Sequence, residues 1–334
     1  MFLTSTCFRR APVTIHFAHH SFRKFTFTAE IMAPKRKKHE RSNSTEDPAL
    51  KRPSTKRAKE IDESPPYDQL EDILEHNNSD VKPRNVLHWF RSKDLRQEDN
   101  PSLHAAYEKA KEGNGHLITM YLHSPKDLEW HGLAPVRVDF MLETVGILQK
   151  QLEEKHIPLS IIEAAERAQK TEKVMKFVAD NDISHIYANM EYEVDELRRD
   201  ISVAKQVQEQ KDLSFEVLHD QTVVIPGELK GQGGGPIKVF TPYHGAWLKE
   251  TKSNPELFED TGAPPETNDK QAAQDLKALF GSKIPKIEDL PESRQFASKE
   301  ERERLRKLWP AGHDAGMERL SNFLNKKVML YQLV

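Results

Sequence analysis

Charged residues crowd the segment WFRSKDLRQEDNPSL, residues 89–103, directly after a short apolar run. Such a segment could hold a polar ligand, because neighbouring opposite charges offer both donors and acceptors. It could also serve only the fold, because two arginines alternate with two aspartates and can neutralise a tight turn as ion pairs. The residues concerned are Arg91, Arg96, Asp94 and Asp99. We predict the ion-paired turn as their main role.

The same segment carries the signals of a helix start. Asn100 followed by Pro101 is typical of an N-cap with proline at the first helical position. Glu98 and Asp99 would then lie near the positive end of the helix dipole, which stabilises negative charge. The turn is therefore predicted to connect a buried strand to a helix.

The segment EYEVDE, residues 191–196, is a second cluster of carboxylates behind an apolar run. Glu193, Asp195 and Glu196 would fall in the first turn of a helix, where each stabilises the helix by about 0.3–1 kcal/mol. The alternative is ligand binding, because one carboxylate accepts two N–H donors from a cyclic amide-like ring of the pterin or flavin type.

The sequence lacks the usual loops that bind phosphate. A dinucleotide-binding domain carries G-x-G-x-x-G after its first strand, whereas RSKDLRQEDNPSL contains no glycine. The glycines at 233–235 precede no predicted helix and are assigned to a linker. The only cysteine is Cys7 and the 15 histidines are scattered, so we expect a reducing compartment and neither a disulfide nor a metal site. No residue is predicted to be catalytic.

Strands and helices alternate in the part of the chain that must position these side chains. The predicted strands are NVLHWF, HLITMYLH, PLSIIEA, ISHIYANM and SFEVLHD. Amphipathic helices lie between them, the longest being VRVDFMLETVGILQKQLEEKH. Such alternation predicts a parallel sheet covered by helices on both faces. Residues 83–222 are therefore predicted to form a doubly wound, five-stranded α/β domain.

The composition predicts that the rest of the 334-residue chain is less compact. Charged residues make up 31% and apolar residues 37%, and the net charge of −3 gives no global basic field. Residues 1–82 are predicted to be a disordered leader and basic tail. Residues 223–309 are predicted to be an interdomain linker, and residues 310–334 a helical segment too short for a domain. No apolar stretch reaches the roughly 20 residues of a membrane span.

Two features of the tail suggest targeting. The first 29 residues carry no acid and are typical of a mitochondrial transit peptide, or of an extension upstream of a second start at Met32. Basic clusters at residues 35–38 and 51–59 are typical of a bipartite nuclear import signal read by an import receptor. A phosphate-binding arm and a solvated tail are the alternatives. We predict a nuclear protein, with the mitochondrion as a second location.

Four segments in a fixed order resemble the DNA photolyase/cryptochrome family. VLHWFRSKDLRQEDNPSLHAA is similar to the amino-terminal family signature, in which W-F-R is followed by D-L-R-x-x-D-N-x-x-L. YANMEYEVDELRRD, VFTPYHGAWLK and LWPAGHDAGMERLSNFLNKKV follow in the expected order. The resemblance covers residues 83–327 and is nearest to fungal cyclobutane pyrimidine dimer photolyases.

The resemblance implies a light-harvesting α/β domain and a helical domain that binds FAD and repairs pyrimidine dimers in DNA. The α/β domain would hold a methenyltetrahydrofolate or deazaflavin antenna chromophore. Asp195 and Glu196 align with an Asn-Glu pair of the folate-binding pattern, so Glu196 matches and Asp195 replaces the asparagine. Both are predicted to bind the cofactor.

The family features that follow the flavin-domain start are absent after Lys327. We therefore expect this chain to resemble a photolyase truncated before its FAD-binding domain, monomeric and inactive in light-driven repair. A cryptochrome-type photoreceptor that works through partners is the alternative. A generic α/β nucleotide-binding module is a third.

Overall fold

A computed structural model of the chain describes residue 328 and residues 55–326, except residues 79, 114, 232 and 260. The described part contains one five-stranded sheet in which all strand pairs are parallel. The strands are β1 (Asn85–Phe90), β2 (Leu117–His123), β3 (Leu159–Glu163), β4 (Ile183–Asn189) and β5 (Ser214–Leu218). The predicted fold class is therefore confirmed, with strand limits that differ from the predicted ones by one or two residues.

Helices precede, connect and follow these strands. The first seven are α1 (Thr55–Glu63), α2 (Pro66–Glu75), α3 (Pro101–Glu112), α4 (Pro125–Trp130), α5 (Pro135–Glu153), α6 (Lys170–Asp180) and α7 (Val194–Gln208). The last four are α8 (Phe240–Ser253), α9 (Ala272–Asp275), α10 (Lys299–Leu308) and α11 (His313–Lys326). A short 3₁₀ segment, Arg167–Gln169, leads into α6.

The strand order β3-β2-β1-β4-β5 places a switch point between β1 and β4. The chain moves outward from β1 to β3 on one side and then returns to lay β4 on the other side of β1. The loops after β1 and β4 therefore diverge and leave a crevice at the carboxyl edge of the sheet. Ligands of open α/β sheets bind at such a point.

Both faces of the sheet are buried, as nearly continuous apolar strands require. Helices α2, α6 and α7 cover one face, and α3 and α5 cover the other. Strand side chains on the first face include Leu87, Trp89, Met120, Ile186 and Phe215. Those on the second include Val86, Phe90, Leu117, Tyr121 and Tyr187. Consecutive residues of β1 thus serve two separate cores.

Polar side chains close the two outer edges of the sheet. The Asn77 side chain donates to the carbonyl oxygen of Phe215 at 2.9 Å and accepts from its N–H at 3.2 Å. On β3, the Ile161 N–H donates to Ser282 Oγ at 2.9 Å, and Gln149 Nε2 donates to the Leu159 carbonyl at 3.1 Å. These contacts occupy edge groups that could otherwise pair with another chain.

The structure differs from the predicted disorder in the last part of residues 1–82. Residues 1–54 lie outside the described residues, as do the transit-like leader and most of the import-like signal. In the described part, α1 and α2 are helical, and Leu70 of α2 is fully buried against α7 and the sheet. The prediction missed this because PYDQLEDILE contains few apolar residues. Their contribution to stability depends on packing against α7 and the sheet, which are distant in sequence.

The segment predicted as a linker is also packed in part. Ala272 and Leu276 are buried in the core beside α6, and Ile287 and Leu290 are buried near α5. The side chain of Asn268 accepts from the Leu117 N–H at 3.4 Å and donates to its carbonyl at 3.0 Å. A few side chains therefore attach a thinly apolar segment to the domain.

Ion pairs attach α10 to the domain through a buried carboxylate. Arg302 and Arg306 each approach Asp139 of α5 at 2.7 Å, and Asp139 is only 3% exposed. Beyond α10, the apolar side chains of α11 point outward, among them Met317, Leu320 and Leu324.

The burial of Leu70 predicts that α2 contributes to the stability of the domain. Leu70→Ala should reduce the free energy of unfolding by about 2–5 kcal/mol, through lost transfer energy and the cavity left behind. The matched control is Leu308→Ala at a side chain that is 49% exposed, which should change it by less than about 0.5 kcal/mol. Urea denaturation measures both. Equal effects would show that α2 does not pack on the domain.

Candidate functional site

The turn after β1 is held by a buried polar network. Asn189 at the end of β4 donates from Nδ2 to Asp94 Oδ2 and to Asn100 Oδ1, both at 2.8 Å. Asp94 Oδ1 also accepts from the Arg91 N–H at 2.6 Å. Asn100 Oδ1 accepts from the Leu103 N–H at 3.1 Å, so the predicted N-cap is confirmed. One asparagine side chain thus joins the loop after β1 to the strand across the switch point.

Two guanidinium groups lie against the buried ring of Trp89. The guanidinium carbons of Arg91 and Arg199 lie 3.7 and 4.9 Å from the ring centroid. Asp200 accepts from Arg91 Nη2 at 3.1 Å and from Arg199 Nε at 2.9 Å, and Glu191 accepts from Arg199 at 3.2 Å. We call these five residues the Trp89 charge cluster. Its two cations and two anions compensate each other away from water.

Burial shifts the proton affinities in and around this cluster. Burial and the neighbouring Arg199 lower the pKa of Arg91 to about 10. Burial raises the pKa of Asp94 to about 7, against the hydrogen bonds from Asn189 and the Arg91 amide. Burial alone would lower the pKa of Arg199, but Asp200 and Glu191 raise it overall. Arg199 therefore remains charged and fixes the two carboxylates around it.

The predicted ion pairs of the turn have other partners in the structure. Arg91 pairs with Asp200 of α7, whereas Asp94 accepts the Arg91 backbone amide. Arg96 pairs with Asp220 beyond β5 at 2.7 Å. Asp99 accepts from the backbone and side chain of Thr261. The predicted pairing within the turn is therefore wrong, because both arginines pair with acids outside the loop and the two aspartates accept hydrogen bonds instead.

A cavity of about 100 Å³ opens beside the Trp89 charge cluster at the carboxyl ends of β1, β2 and β4. We call it the carboxyl-edge cavity. Apolar lining comes from Trp89, Phe90, Tyr121, Leu122, Leu128, Leu133 and Met141. Polar lining comes from Arg91, Ser92, Ser124, Asp127, His131, Lys170, Glu191, Glu196 and Arg199. A concave wall that combines apolar side chains with convergent polar groups is typical of a small-molecule site.

Apart from Asp127, which is ion-paired with Arg167, three residues of the cavity wall each have one buried polar atom without a hydrogen-bond partner among the described residues. These atoms are Arg91 Nη1, Ser124 Oγ and Glu196 Oε2. Unsatisfied buried polar groups are costly and call for an explanation. A donor, a hydroxyl and a carboxylate oxygen on one wall suit a ligand edge with both N–H and C=O groups.

Glu196, one of the two predicted site residues, lies on this wall. Its side chain is 16% exposed, and its Oε1 lies 3.6 Å from His131 Nε2. Burial and the nearby Glu191 raise its pKa, while Arg199 opposes the shift. A partly buried carboxylate with one free oxygen can accept hydrogen bonds from a ligand.

Asp195, the other predicted site residue, lies outside the cavity. Arg167 donates to Asp195 Oδ2 at 2.7 Å. Although burial raises the pKa of Asp195, this arginine lowers it overall. Asp195 is therefore occupied by an ion pair and is not directed at the cavity.

Sequence reasoning missed the contributions of β2 and β3 to the cavity. Ser124 follows β2, His131 follows α4, and Lys170 begins α6 after β3. The signal for these residues is the rule that ligands lie beyond the carboxyl ends of parallel strands, because it also points to the segment HSPKD, in which Ser124 directly follows β2.

Neither a metal site nor a membrane span is found among the described residues. In that part of the chain, no group of three histidine, cysteine or acidic residues could hold a metal ion. None of the helices there is both long and apolar enough to cross a bilayer.

One family model matches the part of the chain that contains the charged turn after β1 and the sheet. The model described as DNA photolyase matches residues 86–266, from β1 to beyond α8. The chain belongs to the DNA photolyase family. The matched residues of this chain include all five strands, apart from Asn85, and every residue that lines the carboxyl-edge cavity.

Curated proteins of the family are considerably longer than the matched region. A deoxyribodipyrimidine photo-lyase of Neurospora crassa is 38% identical over 253 residues, which cover 74% of this chain and 40% of that protein. One of Salmonella typhimurium is 33% identical, over 50% of this chain and 34% of that protein. The chain thus spans about a third to two fifths of the length of these relatives.

A solved structure confirms the fold at low sequence identity. The class III photolyase from Agrobacterium tumefaciens superposes with a TM-score of 0.56 and 20% identity, over 74% of this chain and 46% of that one. The similarity extends past the five strands, because residues 85–218, which hold the sheet and its connecting helices, make up less than half of the chain.

The Trp89 charge cluster predicts a strong dependence of stability on one carboxylate. Asp200→Ala should lower the free energy of unfolding by about 3–5 kcal/mol, because it leaves two buried guanidinium groups without their shared anion. The control is Asp212→Ala, whose side chain is 71% exposed and pairs with Arg84 at 3.3 Å. It should cost no more than about 1 kcal/mol. Equal losses in chemical denaturation would contradict a structural role for the cluster.

Proposed function

We propose that residues 83–222 are the light-harvesting α/β domain of a deoxyribodipyrimidine photolyase, and that the carboxyl-edge cavity binds its antenna chromophore. The single observation that carries the proposal is Glu196, a partly buried carboxylate that lines this cavity and has one oxygen without a hydrogen-bond partner. Family membership supports the photolyase part of the proposal.

The polar atoms of the cavity fit a heterocyclic amide. Glu196 Oε2 can accept from ring N–H groups, and Arg91 Nη1 can donate to a ring carbonyl. Ser124 Oγ can do either. A methenyltetrahydrofolate or a deazaflavin offers such an edge, and when bound it would supply absorption of near-ultraviolet or blue light. The side chains of the cavity would orient this ring and exclude water from one side of it.

The size of the cavity supports partial insertion of the ligand. Pockets that enclose a whole drug-sized ligand measure roughly 300–1,000 Å³, whereas this cavity measures about 100 Å³. A bicyclic or tricyclic ring would therefore enter by one edge, and the rest of the chromophore would lie over the rim. His131, which is 37% exposed beside Glu196, lies at that rim.

We propose activity on DNA only for a longer photolyase that contains this domain together with a helical domain. FAD and DNA with pyrimidine dimers would bind the helical domain of longer family members. The outward apolar side chains of α11, such as Leu320 and Leu324, support contact with such a domain. We propose a monomer, delivered to the nucleus by an import receptor that reads the basic tail. The mitochondrion is a second location, which the name of a Saccharomyces cerevisiae relative supports.

Glu196→Gln should raise the dissociation constant of the antenna chromophore roughly tenfold to a hundredfold. The change removes a charged acceptor but keeps the shape of the side chain. Glu209→Gln is the matched control, because Glu209 is an exposed residue at the end of the same helix. Titration of purified protein with methenyltetrahydrofolate, and separately with a deazaflavin, measures binding by absorbance. If the unaltered chain binds neither, the chromophore proposal is wrong.

Binding of the chromophore should weaken as the pH falls. Ionised Glu196 accepts the ring N–H groups, and protonation removes that acceptor. Because the pKa of Glu196 is raised by burial and Glu191, binding should be complete above this raised pKa and be lost below it. The loss should therefore begin at a higher pH than an exposed glutamate would give. A pH series of the same titration measures it, and Glu196→Gln should lack this step.

A further inference from the structure

The outer wall of the carboxyl-edge cavity is a short helix. Asp127 and Leu128 of α4 line the cavity, as do His131 and Leu133 just after it. With six residues, α4 is far too short to be stable by itself in water. Its position over the cavity therefore depends on contacts with the rest of the domain.

One arginine connects this wall to two other segments. Arg167, in the 3₁₀ segment before α6, pairs through Nε with Asp127 at 2.7 Å. Its Nη2 donates to Asp195 of α7 at 2.7 Å. Its guanidinium carbon lies 5.0 Å from the ring centroid of Trp130, the last residue of α4. Arg167 thus spans the junction of three segments on the outside of the cavity.

Other contacts also attach α4, among them the ion pair of Asp127 with Lys170 and the approach of His131 to Glu196. Leu128 packs in a small cluster apart from the two main cores, together with Val138 and Ile287. Arg294 donates to the carbonyl oxygens of Leu133 and Glu129 at 3.2 and 3.4 Å. Arg167 is thus one of several side chains that keep the wall in place, and the one that joins α4 to α7 and to the 3₁₀ segment.

These contacts can break and re-form at modest cost. The side chains of Arg167 and Asp195 are 30% and 35% exposed, so water and salt screen their attraction. By contrast, the Trp89 charge cluster beneath the cavity is almost fully buried. The cavity thus has a fixed floor and an outer wall held by a polar contact at the surface.

We propose that Arg167 is a latch that holds α4 closed over the carboxyl-edge cavity and sets how fast a ligand enters and leaves. The proposal rests on the proposed function for the identity of the ligand, but not for the closure itself. It gives Asp195 a different role from direct contact with a cofactor, because Asp195 anchors the latch to α7. Arg167 is thus a positioning residue that acts through α4.

The side chain of Lys170 reports access to the cavity without any ligand. Lys170 lines the cavity, is 7% exposed and pairs with Asp127. Reductive methylation with formaldehyde and a borohydride should modify it only when the wall opens. Arg167→Ala should raise its methylation rate about tenfold, as the loss of charge-assisted contacts predicts. Lys126, exposed on α4 itself, should react at an unchanged rate.

Two further variants separate the latch from a general loss of structure. Arg137→Ala removes an exposed arginine of α5 near the same wall and should leave the Lys170 rate unchanged. Asp195→Asn removes only the anchor on α7 and should give a smaller rise than Arg167→Ala. If the Lys170 rate is the same in the unaltered chain, Arg167→Ala and Asp195→Asn, the latch does not exist. A rise shared by Arg137→Ala would also overturn it.

Ligand kinetics distinguish a latch from a binding residue. Arg167→Ala should raise the association and dissociation rates of methenyltetrahydrofolate or a deazaflavin by similar factors, and thus leave the dissociation constant nearly unchanged. A large change in affinity with an unchanged association rate would overturn the latch. Absence of binding by the unaltered chain would refute the chromophore proposal alone, because the Lys170 experiment needs no chromophore.

Discussion

The shared carboxylate of Asp200 is the interaction on which the site depends. It binds two buried guanidinium groups that would repel each other without it, and both lie against Trp89. These contacts join the end of β1 to α7 across the switch point of the sheet. A crevice that results from diverging loops would otherwise be the least constrained part of an α/β domain. Here it has a fixed floor.

The buried ion pairs also fix the positions of Arg91 and Glu196, two polar residues that line the cavity. The backbone N–H, Nε and Nη2 of Arg91 donate hydrogen bonds within the domain, whereas Nη1 has no hydrogen-bond partner among the described residues. Glu196 likewise belongs to the helix that carries Asp200, so its position follows from the buried ion pairs. The polar atoms that could meet a ligand are thus oriented by groups that do not touch it.

The sequence predicts what depends on local patterns and misses what depends on distant partners. Alternating strands and helices and the Asn100 cap are local signals, and the structure confirms both. The partner of Arg91 is 109 residues away, and no spacing rule selects it over nearby Asp94. The ion-pair partner of Asp195 is likewise distant, because Arg167 comes from the segment before another helix, and contact of Asp195 with a cofactor stays a prediction. Family resemblance predicts none of these pairs.

The side chains that hydrogen-bond to the two edge strands are made at different times during synthesis. Asn77 precedes the strand that it covers, so it is available as soon as β5 emerges. Ser282, by contrast, follows Ile161 by 121 residues. Gln149 can cover the Leu159 end of β3 at once, but the edge at Ile161 stays uncovered on the ribosome while more than a third of the chain is still being made. Unpaired strand edges favour aggregation, so this interval is when the nascent chain most needs a chaperone.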